Sequence, residues 1–203
     1  FSYWETDYDG DIVKYEPGEH GGLSHALTFR AVYIPIIQTT YIDENGEQQD
    51  VDAVRLTKAN IEDNKLDCDW YLIDSESDID ADYTIRTTRS LNIILADDAY
   101  KYCKNITAVE DLNIYGQAKQ TGTLDISASN EIISPDNYTQ YGGVVKAYMI
   151  RADYNCEFKG GILETKSRFY GLQSTKLSWT RFSKDQVKIN GILTSSPVPI
   201  ADG

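Results

Sequence analysis

Carboxylates are the most numerous reactive side chains in this sequence, and their spacing suggests two kinds of chemistry. Near the start, Glu5, Asp7, Asp9, Asp11 and Glu16 gather within one short stretch. Of these, Glu5, Asp7, Asp9 and Glu16, with Gly10 and Ile12, fall at the offsets of a calcium loop, Glu standing where the first position normally has Asp. Further on, Asp80 with Asp82, and Asp97 with Asp98, could supply the paired carboxylates of a polysaccharide hydrolase. His20 and His25 lie in the glycine-rich HGGLSH and could share a metal.

Each reading meets a competing one. A helix–loop–helix calcium site needs a helix on both sides, whereas Pro17 and the β-rich flanks favour a hairpin turning at Asp9-Gly10. Adjacent residues of a strand point to opposite faces, so Asp97 and Asp98 cannot converge. Asp80 and Asp82 share a face but have no spaced carboxylate or basic cluster to work with. The two histidines lack further ligands, and neither sits in a nucleophile motif. The expectation is a non-catalytic chain without a cofactor, calcium being the one cation the sequence admits.

Recognition is better served. Tyr170, Trp179 and Arg181 occupy a basic, aromatic-rich stretch, and Tyr138 and Tyr141 flank the segment 131–142, which reads as a loop. These five residues are the candidate contacts for a glycan or a host surface protein. The competing reading for Trp179 is a plug packed on the end of the fold.

The charge is −13 over 203 residues. Between Asp43 and Asp82 the acidic residues far outnumber Arg55, Lys58 and Lys65, whereas Val144–Lys188 is net basic. An acidic total argues against a nucleic-acid partner. No apolar run approaches the ~20 residues of a membrane-spanning helix, so no membrane insertion is expected. The first residue is Phe1, consistent with a piece of a longer protein whose other modules would be its neighbours. Cys68, Cys103 and Cys156 match no zinc spacing; they read as buried thiols, with Cys103–Cys156 the preferred pair if a disulfide forms.

The elements that must position these residues are strands. Fifteen Tyr and a single Met favour a pleated, half-buried surface over a helix bundle. Leu91-Asn92-Ile93 returns as Leu112-Asn113-Ile114, and a period near 21 residues means stacked supersecondary units. The expected strands are 83–86, 91–95, 99–103, 106–109, 112–115 and 123–127, then 143–147, 149–152, 156–159, 162–164, 176–179 and 187–189, with Gly142-Gly143 and Gly160-Gly161 at corners. Asn45-Gly46 marks a hairpin, residues 57–66 could hold a short helical turn, and 70–73 covers the first rung. The fold class expected is all-β: a single-stranded, parallel β-helix-like solenoid over 41–203, capped at 41–75 and preceded by a small hairpin module at 1–40. Leucine-rich repeats share the period, but no asparagine ladder or helical side is legible.

Two resemblances add to this. Trp4, Thr6, Asp9-Gly10, Tyr15, Pro17-Gly18-Glu19, Leu27-Thr28-Phe29 and Ala31-Val32-Tyr33 resemble the second half of a Listeria–Bacteroides repeat, the B-repeat of internalin-type surface proteins. In that family the Asp-Gly belongs to a turn. Asn45-Gly46, Trp70–Asp74, Leu91–Leu95, Leu112–Gln117, Thr121–Leu124, Ser178-Trp179 and Ala201–Gly203 resemble an uncharacterised repeat module of large bacterial surface proteins, often labelled carbohydrate-binding. Where that family has glycine-rich inserts, this chain has IISPDNYTQYGGVVKA. The resemblances imply a structural or adhesive segment of an extracellular, cell-surface protein, with a glycan-binding module as the alternative and a β-helix lyase or hydrolase as a third reading.

Overall fold

The structure, a computed structural model, describes residues 3–8, 11–15, 28–32, 34–58, 69–128, 132–177 and 187–189. The chain divides into two compact units, Phe1–Ile36 and Ile37–Gly203. In the first, β1 (Tyr3–Tyr8) pairs antiparallel with β2 (Asp11–Tyr15) and with β3 (Arg30–Val32). Tyr8 faces Asp11 at the end of the β1–β2 pair; Asp9 and Gly10, where a hairpin turn was expected, lie outside the described residues. Thr6 is buried and donates to the Thr28 carbonyl at 2.8 Å, while Tyr15 and Phe29 meet edge to face.

The second unit is a β-solenoid of about five turns. Its first wall stacks β6 (Trp70–Ile73), β8 (Leu91–Leu95), β11 (Asp111–Gly116), β14 (Asn137–Gln140), β16 (Asn155–Phe158) and β18 (Ser174–Leu177), all parallel. The second wall stacks β9 (Tyr100–Tyr102), β12 (Thr123–Ile126), the first halves of β15 (Val144–Ala152) and β17 (Ile162–Gly171), and β19 (Val187–Ile189). The third stacks β7 (Thr84–Thr87), β10 (Asn105–Ala108), β13 (Ile132–Ser134) and the second halves of β15 and β17. A register shift between Ala147 and Met149 bends the two long strands from one wall into the next.

Alternation along each strand sends every second residue inward, and stacking lines those residues up. Leu91, Leu112, Tyr138, Cys156 and Thr175 form one internal column; Ile85, Ile106, Ile133, Ile150 and Phe169 form another, and all ten are buried. Equivalent positions on the first wall lie 21, 26, 18 and 19 residues apart. Leu91 and Leu112 sit one above the other, as their repeat predicts.

Several expectations change. The segment 131–142 is not a surface loop: β13 and β14 run through it as rungs. Its polar residues are satisfied internally. Tyr138 donates to Gln140 Oε1 at 3.0 Å, and Gln140 Nε2 donates to the carbonyls of Gly143 and Ile162 at 3.2 and 3.0 Å. Cys103 and Cys156 are buried thiols in different turns, and no disulfide joins them; Cys68 lies outside the described residues. Lys58 has helical backbone, and the rest of the 57–66 stretch expected to hold a helical turn, from 59 on, also lies outside them.

The corner between the first two walls uses backbone that few side chains adopt. Asp98 and Gln120 have φ of 65° and 60°, Gly143 and Gly161 of 70° and 83°. A Cβ on Gly161 would lie 2.0 Å from the Gly143 carbonyl oxygen of the turn beneath. Gly161→Ala should therefore destabilise the fold by roughly 2–4 kcal/mol, read from urea denaturation, because it adds a left-handed penalty to a backbone clash. A variant as stable as the parent would mean that the corner does not hold this conformation.

Candidate functional site

In a solenoid the outward side chains are the ones free to meet a partner, and here the three walls differ. The first wall is half covered. Leu72, Ile94, Tyr115, Tyr141 and Lys159 succeed one another up its outer side, placed by the strand register and by the bonds Tyr141 N–H to Ile114 O and Lys159 N–H to Gln140 O. Over them lies the hairpin of β4 (Ile36–Ile42) and β5 (Gln48–Arg55), turned by Asp43 and Gly46. Asp43 shapes that turn by accepting from the N–H groups of Asn45 and Glu47 and from Gln49 Nε2.

The hairpin is held along its length. Tyr41 stacks on Trp70 and meets Tyr115 edge-on. Gln117 Nε2 donates to Thr39 at 2.9 Å, and at the tip Lys159 reaches Glu44 at 3.3 Å. Ala53 of the hairpin, with Leu72 and Ile94 of the wall, forms a second apolar cluster, packed against Ile37, Val51 and Tyr115. Burial, with Tyr141, Tyr41 and Glu44 nearby, pushes the Tyr115 hydroxyl far above the usual tyrosine range. Beside the tip is a cavity of about 600 Å³ lined by Ile42, Lys119, Gln120, Thr121, Tyr141 and Ile162, among others.

This geometry decides among the aromatic candidates. Tyr138 has no exposed surface and makes an edge contact with Phe169, so it cannot stack on a ligand. Tyr141 has both ring faces taken. Tyr115 lies parallel to it at 4.6 Å from the turn before, and the Lys159 ammonium sits 5.0 Å from its centroid from the turn after. Tyr170 is half-buried on the outer third wall, in register with Arg151. That wall presents Arg86, Arg151 and Arg168 outward, and no Asp or Glu occupies its described strands. Trp179 and Arg181 lie outside the described residues.

The carboxylates hold turns together. Asp98 receives Lys119 at 2.7 Å and Thr121 at 3.0 Å, and Asp97 receives the Lys119 N–H. Asp80 receives Lys58 and the Asp82 N–H within a tight turn. The lysine holds the Asp80 carboxyl below its usual range, as Lys119 does that of Asp98. Of the calcium candidates, Glu5 faces Arg30 at 3.5 Å. The side chains of Asp7, Asp9, Asp11 and Glu16, and both histidines, lie outside the described residues. Among the described residues no group of three or more His, Cys, Asp or Glu is placed to hold a metal.

Two features escape a reading of the sequence alone. The first is an axial ladder. Asn137 Nδ2 donates to Asp111 and Asn155 Nδ2 to Asn137, both at 2.8 Å, and Ser174 donates to Asn155 at 2.7 Å. A second rung pair joins Asn113 to Asn92 at 3.0 Å. An asparagine ladder is thus present, set on strands. The second is the outer face of the second wall, where Tyr100 and Tyr102 are 45% and 52% exposed with ring centroids 5.1 Å apart. Tyr100 donates to Asp125 at 2.5 Å, and Lys146 lies over its ring at 5.5 Å. Burial acts to raise Asp125, but bonds from Tyr100 and Ser127 and the charge of Lys146 outweigh it and hold the carboxyl below its usual range. The bond to Asp125, with burial, raises the Tyr100 hydroxyl. The signal was the spacing Tyr-x-Tyr, which places both rings on one side of a strand.

A carboxyl whose folded pKa lies below its unfolded value of about 3.9 adds stability above that value and loses it on protonation. Asp125→Asn should therefore lower the urea midpoint at neutral pH, with the gap to the parent closing as pH falls through the depressed folded value. A gap that stays constant down to acid pH would show that Asp125 acts through packing instead of charge. No family model matches the chain, and neither does a curated protein or a solved structure.

Proposed function

We propose that this chain is a non-catalytic structural and adhesive segment of a modular bacterial cell-surface protein, working outside the cell beside other modules of the same polypeptide. The observation that carries the reading is the axial ladder through Asp111, Asn137, Asn155 and Ser174, which ties consecutive turns side chain to side chain as well as through the backbone. Each turn adds about 4.8 Å along the axis, so length accrues steadily with residues and the walls grow in parallel. That suits reach and lateral contact. The carboxylate pairs that could have served hydrolysis are spent on turn geometry and ion pairs with Lys58 and Lys119.

Antibodies raised against the full chain should label intact, unpermeabilised cells of the source bacterium, and protease treatment of those cells should release fragments that react with them. Labelling that appears only after lysis would overturn the proposal.

A further inference from the structure

We propose that Tyr100 and Tyr102, framed by Asp125 and Lys146, form a stacking subsite for a pyranose ring of an uncharged glycan. This deepens the adhesive part of the function proposed above and rests on it only for its biological setting. The two rings belong to β9, which among the described strands pairs in the second wall with β12 alone, so they stand at a ledge where the wall begins. Lys101, between them, donates to the carbonyls of Ser75 and Ser77 at 2.8 and 2.7 Å and ties the strand to the turn beneath. The ring planes are tilted 54° to one another. Tyr100 is fixed through its hydroxyl to Asp125, whose other oxygen accepts the Ser127 N–H at 3.0 Å. Lys146 lies over the Tyr100 ring, so Tyr102, 52% exposed, supplies the open face, with the anchored Tyr100 beside it as a wall; a platform already in place lowers the ordering cost of stacking a ligand on it.

Size and charge select the occupant. Two half-exposed tyrosines offer on the order of 200 Å², well short of the ~800 Å² per partner of a stable protein interface. The C–H face of a single sugar ring fits on Tyr102, with the Lys146 ammonium, which lies over the neighbouring Tyr100 ring, close enough to meet hydroxyls. That lysine is already balanced in register by Asp125 and Glu164, and the preceding turn carries Asp78, Asp80 and Asp82. A polyanion would be repelled there.

Affinity electrophoresis of the full chain through gels containing a soluble α-glucan, a β-glucan, a mannan or dextran sulfate tests this. Retardation is expected in at least one neutral polysaccharide, lost in Tyr102→Ala, kept in Tyr102→Phe and kept in Tyr170→Ala. Thermal melting of each variant confirms that it is folded. Migration unaffected by every neutral polymer, retardation by dextran sulfate alone, or retardation that survives Tyr102→Ala would each overturn the subsite. None of these outcomes bears on surface labelling of intact cells, so the subsite and the structural role fail separately.

Discussion

Everything in the larger unit depends on turns lying in register along one axis. The backbone bonds that join the strands run parallel to that axis, so a residue's neighbour in space is the residue one turn away in sequence. Inside, Ile85, Ile106, Ile133, Ile150 and Phe169 accordingly make an unbroken apolar column in which each side chain is covered by the next. A single turn cannot bury its own inner face. The stack is therefore cooperative between neighbours, and the corners must let backbone approach backbone, which is why Gly161 stands directly over the carbonyl of Gly143.

The hairpin of β4 and β5 answers a second problem. Trp70, Leu72, Ile94 and Tyr115 place more apolar surface outside the first wall than a solvated sheet should show. Laying Ile37, Tyr41, Val51 and Ala53 over them turns an exposed stripe into a small second core. The polar ends of the strap, Thr39 to Gln117 and Glu44 to Lys159, fix where it lies but are worth little individually at the surface. Apolar contact supplies the energy, and the polar pairs supply position. The arrangement also removes Tyr141 from service as a stacking platform, since its neighbours up and down the wall occupy both its faces.

Much of this was legible because a parallel stack writes its period into the sequence. Leu91-Asn92-Ile93 and Leu112-Asn113-Ile114 pair residue for residue, and most expected strands fall within a residue or two of those found. The rungs at 132–134 and 137–140 were not legible, because their inward residues include Gln140 and Tyr138. A buried amide reads as solvent-facing until its partners are known, and those partners are carbonyls of the next corner and the next turn. Covering by the hairpin was hidden for a similar reason: nothing in Leu-Asn-Ile-Ile-Leu says that Ile93 faces the core while Ile94 faces a strap dozens of residues upstream. Of the proposed contact residues, burial removed Tyr138 and stacking removed the faces of Tyr141. The Tyr100–Tyr102 pair was not legible because Tyr-x-Tyr on a strand puts both rings on one side without saying whether that side is the inner or the outer one.

In-register stacking also restricts what the outer walls can carry. Whatever sits at one outward position lies about 4.8 Å from its counterpart in the next turn. An amide can repeat, since it donates and accepts at once, and the run from Asp111 to Ser174 uses that property. A charge cannot repeat without repulsion, and on the second wall the register instead sets Asp125, Lys146 and Glu164 in alternating sign. An aromatic ring repeated up a wall would stack on its own neighbours, as Tyr115 and Tyr141 do, and leave no face for a ligand. Rings that are to remain open must therefore stand where the ladder stops. Tyr102, on the first described strand of its wall, meets that condition, with Tyr100 beside it.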